Sequence, residues 1–225
     1  MKRYCTLFYF LLLSITSLFA QDKILFQEDF NNNNQNWLVA NEAEATARIA
    51  NGKYIIEHIS PNGAQVFFNN NVRFNPNQNF EITTHLKQLA GNQQYGYGLV
   101  WGAKDGNNFF AFTISSDGKC NIYRFEEGEF INIRPWVRLG NEIVKPLGDV
   151  NLLRIKKQEN RMSFFINNEL IHTADYHPFM GNQLGFVLNS KMKVVVGDVM
   201  IKRPLEDEEK EAKPKVTWVN PSHEL

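Results

Sequence analysis

Residues 95–115 read YGYGLVWGAKDGNNFFAFTIS, and this stretch decides the predicted fold. In its second half, Phe110, Phe112 and Ile114 recur at every second position, which is the period of a β-strand with one buried face. In its first half, aromatic residues alternate with glycine. Asp105-Gly106 lies between the halves and favours a tight turn. The stretch therefore predicts two strands of a packed sheet, with the side chain of Phe112 in the core.

The same pattern continues on both sides of this stretch. Between residues 24 and 201, short β-type runs are broken by Asn, Gly and Asp, and no segment has a convincing helical period. The predicted strands are residues 24–29, 53–59, 64–69, 80–88, 95–103, 109–115, 120–125, 129–133, 150–156, 162–166, 170–174, 183–188 and 194–201. Many strands at close spacing predict an all-β, two-sheet antiparallel β-sandwich of the jelly-roll type.

The N-terminus has the pattern of a secretory signal. Lys2 and Arg3 precede an apolar run over residues 7–13, and the small residue Ala20 stands before Gln21. The apolar stretch is shorter than the roughly 20 residues that span a bilayer. We therefore expect residues 1–20 to be removed and the protein to be exported to the periplasm or the extracellular space.

Composition narrows the function of the remaining chain, whose predicted sandwich domain covers residues 21–203. Removal of Lys2 and Arg3 with the signal leaves 22 basic residues against 24 acidic ones, so the net charge is close to zero. This charge gives no attraction to nucleic acid or to anionic lipid. Cys120 is the single cysteine beyond the signal, which excludes an intramolecular disulfide. The sequence leaves open whether this thiol is free or paired between chains.

Residues 204–225 differ from the rest in composition. A charged run over residues 206–213 predicts a linker, and residues 215–219, which read KVTWV, are prone to form a short strand. Such a segment suits addition to an exposed sheet edge, with Trp218 in a pocket. Val216 and Trp218 are therefore the predicted contacts of a segment that docks on its own sandwich or on a protein partner, and the alternative is a tail without a binding role.

Short motifs in a fixed order point to a known superfamily. They are FQEDF at 26–30 with Trp37, NGKY at 51–54, YGLVW at 97–101, NNFFAF at 107–112, NLLRI at 151–155, FINN at 165–168, GNQLGF at 181–186 and VGDV at 196–199. In this order the chain resembles the concanavalin A-like lectin/glucanase superfamily, particularly its laminin-G-like and 3-keto-disaccharide hydrolase-like domains. The resemblance implies the sandwich fold more strongly than an activity, because this fold hosts lectins, glycosidases and interaction modules.

One departure from the superfamily concerns catalysis. Its glucanases carry Glu-x-Asp-x-Glu on one strand, which places a nucleophile and an acid on the same face. This chain has no such run; Glu126, Glu127 and Glu129 flank Gly128 and predict a solvated hairpin tip. We therefore expect a non-catalytic recognition module that binds carbohydrate. The alternatives are a protein-interaction or structural domain, and a glycosidase of the 3-keto-disaccharide hydrolase type.

Carbohydrate recognition needs flat aromatic surfaces together with polar groups for the hydroxyls. The predicted ligand-binding residues are Tyr97, Trp101, Arg124 and Trp136. The alternative is that these four side chains only pack, with an arginine stacked on an indole.

No motif for a cofactor is present, and we expect none. Asp29 and Asp198 occupy the first and last predicted strands, which are often neighbours in the superfamily. A structural calcium near them is one interpretation. Hydrogen bonding of both carboxylates to backbone amides is the other.

Overall fold

The computed structural model describes residues 22–204, so the predicted signal at 1–20 and the predicted contacts Val216 and Trp218 lie outside the described residues. The described chain forms two antiparallel sheets packed face to face, and the predicted β-sandwich is confirmed. No helix in this range has the length and apolar character needed to cross a membrane.

The strands divide between the two sheets as follows. The nine-stranded sheet contains β1 (Lys23–Glu28), β2 (Ala40–Asn41), β3 (Ala45–Ile49), β4 (Tyr54–His58), β6 (Phe80–Gly91), β11 (Asn151–Gln158), β12 (Arg161–Ile166), β13 (Glu169–Asp175) and β15 (Met192–Arg203). The six-stranded sheet contains β5 (Gln65–Asn69), β7 (Tyr97–Asp105), β8 (Asn108–Ser115), β9 (Lys119–Glu126), β10 (Glu129–Arg138) and β14 (Gln183–Leu188).

The long strand β15 organises the nine-stranded sheet, whose order is β13-β12-β11-β6-β15-β4-β3-β2. Its first half pairs with β4 and its second half with β1, so that Lys23 lies opposite Arg203. The six-stranded sheet has the order β10-β9-β8-β7-β14-β5. The first and last strands of the described chain are therefore neighbours.

The core fills the space between the sheets. Phe110, Phe112 and Ile114 point into it and are 3%, 0% and 0% exposed, which confirms the alternation predicted for β8. The ring of Phe112 packs edge to face against the ring of Phe164, which belongs to the opposite sheet. Their ring centroids are 5.5 Å apart. Aromatic side chains from both sheets therefore interlock across the sandwich.

Glu28 ties the N-terminal strand to the core. Its side chain is buried and accepts hydrogen bonds from the backbone nitrogen of Phe30, at 2.6 Å, and from Nε1 of Trp37, at 3.0 Å. The Phe30 ring stacks on Tyr54 with centroids 5.5 Å apart. The motif FQEDF with Trp37 therefore serves as a structural anchor.

Each predicted strand has a counterpart in the structure, whereas β2 and β3 were missed. Residues 45–49 read ATARI, in which alanine and arginine obscure the two-residue period. The structure also extends β10 to Arg138, beyond the predicted end at residue 133.

Candidate functional site

Tyr97 and Trp101 lie in the core between the two sheets. Their side chains are 0% and 2% exposed, and Trp101 stacks on Phe110 with ring centroids 5.6 Å apart. For these two residues the structure shows the stated alternative, packing, and not ligand binding. Alternation shows that residues share a face of a strand but does not show which face meets solvent.

Arg124 and Trp136 do not join a common site with them. Arg124 lies opposite Phe110 on the inward side of β9, and its Nε is 3.0 Å from Oε2 of Glu126. Trp136 lies on the edge strand β10 and is 44% exposed. The four predicted residues are thus distributed over the core, a partly exposed ion pair and a sheet edge.

The outer face of the six-stranded sheet has an unusual composition at its centre. Strand pairing places these residues outward: Gly98, Val100, Ala111, Thr113, Asn121, Tyr123, Gly185 and Val187. Glycines in the middle of strands permit close approach of neighbouring backbone. A Cβ atom built on Gly98 would lie only 1.9 Å from the carbonyl oxygen of Phe112. The named side chains at the centre of this face are at most 3% exposed, so the centre is closely packed.

Aromatic side chains gather on one side of that centre. The rings of Phe109, Tyr123, Phe125 and Phe130, which we call the aromatic cluster, contact one another with centroids 5.0 to 6.2 Å apart. Phe109, Tyr123 and Phe125 belong to a hydrophobic cluster separate from the main core, on the opposite side of the sheet. Phe130 is 50% exposed, so the aromatic cluster reaches solvent.

Neutral polar groups border the aromatic cluster. The hydroxyl of Tyr123 donates to Oδ1 of Asn189 at 3.5 Å, and Nδ2 of Asn121 donates to Oδ1 of Asn132 at 3.1 Å. Burial raises the pKa of the Tyr123 phenol to about 12. This group therefore stays neutral near pH 7 and can exchange hydrogen bonds without carrying charge.

Carboxylates are absent from the outward positions named above on β7, β8, β9 and β14. Glu126, Glu127 and Glu129 are exposed around the turn between β9 and β10, which confirms the predicted hairpin tip. The backbone nitrogen of Glu127 donates to Oδ1 of Asn108 at 2.9 Å. At the outward positions named above, the side chains offer stacking and hydrogen bonding.

Asp29 and Asp198 both accept hydrogen bonds from backbone amides. Asp29 accepts from the nitrogen of Asn31 at 3.0 Å, and Asp198 accepts from the nitrogen of His85 at 3.1 Å. Among residues 22–204, no group of three or more His, Cys, Asp or Glu side chains is arranged to hold a metal ion. The predicted use of these carboxylates as acceptors for backbone amides is therefore observed.

Cys120 is unpaired and fully buried on the inward side of β9. Burial raises the pKa of its thiol. In the folded domain this cysteine acts as a small core side chain.

Phe109, Phe125 and Phe130 were missed by the prediction from sequence. The available signal was the doublet Phe109-Phe110, which places a phenylalanine on each side of β8. A strand that is apolar on both faces indicates that both faces are covered or used.

Solved structures share this architecture. The β-glucanase of Bacillus licheniformis is 16% identical, with 80% of this chain and 98% of that chain covered and a TM-score of 0.55. The endo-β-1,3-glucanase of Pyrococcus furiosus is 11% identical, with 82% and 95% covered and a TM-score of 0.57. The CBM2 module of the evolved Dit of Lactobacillus casei BL23 phage J-1 is 9% identical, with 81% and 96% covered and a TM-score of 0.53.

No family model and no curated protein matches the sequence of this chain. The structural likeness agrees with the ordered motifs and with the two antiparallel sheets. The narrower resemblance to 3-keto-disaccharide hydrolase-like domains stays a prediction. The chain has the concanavalin A-like jelly-roll fold, which carbohydrate-binding modules and glucanases also adopt.

Proposed function

We propose that the protein is an exported, non-catalytic glycan-binding module whose ligand contacts the outer face of the six-stranded sheet. The observation that carries this proposal is the aromatic cluster, which lies on the side of the six-stranded sheet away from the main core and exposes Phe130 to solvent. Phe130 is 50% exposed, whereas Phe109 and Tyr123 are 3% exposed, so Phe130 is the ring that a ligand would contact.

The composition of this face matches what a sugar ring requires. Exposed aromatic rings stack on the C–H faces of pyranoses, and amide side chains exchange hydrogen bonds with hydroxyl groups. Phe130 supplies the exposed ring, while Asn132 and Asn189 supply amides beside it.

The comparisons supply the first ligands to test. Two of the similar structures are a β-glucanase and an endo-β-1,3-glucanase, so β-glucans are the natural starting point. Export is supported by the basic, apolar and small-residue order of residues 1–20.

Two alternatives to a glycan-binding module, a glycosidase and a protein-interaction domain, call for different evidence. A glycosidase would need paired carboxylates beside the ligand. The outward positions named on β7, β8, β9 and β14 supply none, and the exposed Glu126, Glu127 and Glu129 near Phe130 lie around the solvated β9–β10 turn. A protein-interaction domain is favoured by the strand-prone residues 215–219, which lie outside the described residues.

A glycan array tests the proposal, with the wild-type protein, Phe130→Ala and the control Leu170→Ala. Leu170 is 57% exposed but lies on the nine-stranded sheet, so its loss removes a similar exposed side chain from the other face. We expect Phe130→Ala to weaken glycan binding about tenfold and Leu170→Ala to leave it unchanged. Melting temperatures of both variants should stay within a few degrees of wild type. Absence of any bound glycan, or equal binding by the two variants, would contradict the proposal.

A further inference from the structure

A pocket of about 260 Å³ opens on the outer face of the nine-stranded sheet, on the side of the sandwich opposite the aromatic cluster. It is lined by Lys53, His85, Leu86, Lys87, Val150, Val195, Gly197 and Asp198. The pairing of β15 with β6 changes register between Val196 and Val199, which flank the two pocket residues Gly197 and Asp198. Bulges of this kind often redirect side chains next to binding sites.

The His85 ring is fixed by Asp198. Its Nδ1 lies 2.9 Å from each carboxylate oxygen, and its backbone nitrogen donates to Oδ1 at 3.1 Å. The hydroxyl of Thr84 donates to the carbonyl oxygen of Asp198 at 2.7 Å, which holds the bulge in place. The second ring nitrogen, Nε2, has no protein partner among the described residues and remains for a ligand.

Positive charge is in excess around the pocket. Within residues 22–204, neither Lys53 nor Lys87 has a carboxylate oxygen within 4.0 Å, and Lys53 Nζ contacts only the carbonyl of Gly197, at 3.4 Å. By contrast, Lys193 on the same face lies 2.7 Å from Glu57. Asp198, which is the acidic residue of the lining, is occupied by His85. The pocket therefore attracts an anionic group.

The rest of the lining is apolar. Val150 is 43% exposed and Val195 is partly exposed, so both offer hydrocarbon surface beside the ammonium groups. A pocket of this volume is slightly smaller than the roughly 300–1,000 Å³ of drug-sized sites, which suits a ligand of one ring. The ligand should thus combine one anionic group with one apolar ring face.

We propose that this pocket is a second ligand-binding site and that it binds a uronic acid, a sugar ring that carries a carboxylate. The ammonium groups of Lys53 and Lys87 bind the carboxylate, and Nε2 of His85 hydrogen-bonds a ring hydroxyl. Val150 and Val195 contact the C–H face of the ring. This site lies on the other sheet and does not depend on glycan binding by the aromatic cluster.

Titration of the isotope-labelled full chain, followed by amide NMR, tests the site with three probes: glucuronate, glucose and inorganic phosphate. We expect glucuronate to shift the amide signals of His85, Gly197 and Asp198 in a saturable way, glucose to leave them unchanged, and phosphate to bind more weakly. The double variant Lys53→Met/Lys87→Met should bind glucuronate about tenfold more weakly. Lys156→Met removes the same charge from the same face outside the pocket and should bind like wild type.

Several results would overturn the proposal. They are the absence of saturable shifts, equal affinity for glucose or for phosphate, and unchanged affinity in the double lysine variant. The variant Phe130→Ala separates this proposal from the previous one, because it alters only the aromatic cluster. Its affinity for glucuronate should equal that of wild type, whatever the glycan array shows.

Discussion

The two sheets share one core but present opposite chemistry to solvent. The outer face of the six-stranded sheet carries the aromatic cluster and neutral amides. The outer face of the nine-stranded sheet carries ion pairs, such as Lys193 with Glu57 at 2.7 Å, and an arginine, Arg154, over the ring of Phe165 at 4.0 Å. The inward positions build the fold, so the outward positions are free to differ between the sheets.

The first prediction compares one glycine from each sheet and carries the largest expected effect. Gly98→Ala should cost more than about 4 kcal/mol, because its new Cβ would lie 1.9 Å from the backbone oxygen of Phe112 and would force β7 and β8 apart. Gly197→Ala should cost less than about 1 kcal/mol, since its nearest neighbour is Cβ of His85 at 3.3 Å. Urea unfolding measures both, and similar losses would mean that the two sheets tolerate side chains equally.

The second prediction compares two phenylalanines that point outward from different sheets. Phe109→Ala should cost about 3–5 kcal/mol, because the Phe109 ring is 3% exposed within the aromatic cluster. Phe165→Ala should cost about 1–2 kcal/mol, because this ring is only half-buried beneath Arg154. The free energy of unfolding at neutral pH checks both values. A larger loss for Phe165 would contradict the proposed difference between the faces.

The third prediction concerns alkaline pH and has the smallest effect. Burial raises the pKa of Tyr123 from 10.0 to about 12, so the folded state favours the neutral phenol. Its contribution to stability is complete below pH 10 and is lost as the pH rises from 10 to 12. Tyr123→Phe should therefore lose about 1.4 kcal/mol less stability than wild type between pH 9 and pH 11.

Unfolding in urea at the two pH values measures this difference. The remaining loss in the variant is expected from Tyr54 and Tyr97, whose pKa values are also raised by burial. At pH 9 the variant should lie within about 1 kcal/mol of wild type, because the Tyr123 hydrogen bond to Asn189 is long. Equal alkaline losses in the two proteins would show that Tyr123 is open to solvent.

Sequence alone predicted the strands and the inward face of β8, because turn residues and a two-residue period are local signals. Phe110, Phe112 and Ile114 point inward as predicted. Strand β3 was not predicted, because residues 45–49 lack β-branched and aromatic residues at regular positions. Pairing order, which brings β1 beside β15, depends on contacts far apart in the chain and has no local signal.

The candidate site was harder to predict, because the relevant question was which face of a strand meets solvent. Trp101 has the side chain typical of a sugar platform, yet β7 points it into the core. Phe130 looked ordinary in sequence, and its exposure follows from the position of β10 at the sheet edge. The pocket beside His85 combines residues of β6 and β15 with Lys53 and Val150, and spacing in the sequence does not reveal it.

The pairing of β1 with β15 also determines how the domain responds to a pulling force. Lys23 lies opposite Arg203, so tension applied at residues 22 and 204 acts on that pair first. The hydrogen bonds between β1 and β15 then break one after another from this end. Peeling stops at Glu28, where the hydrogen bonds to Phe30 and Trp37 transfer the load to the core. The six-stranded sheet makes no strand pairing with β1 or β15, so its own strand pairing stays intact while the ends yield.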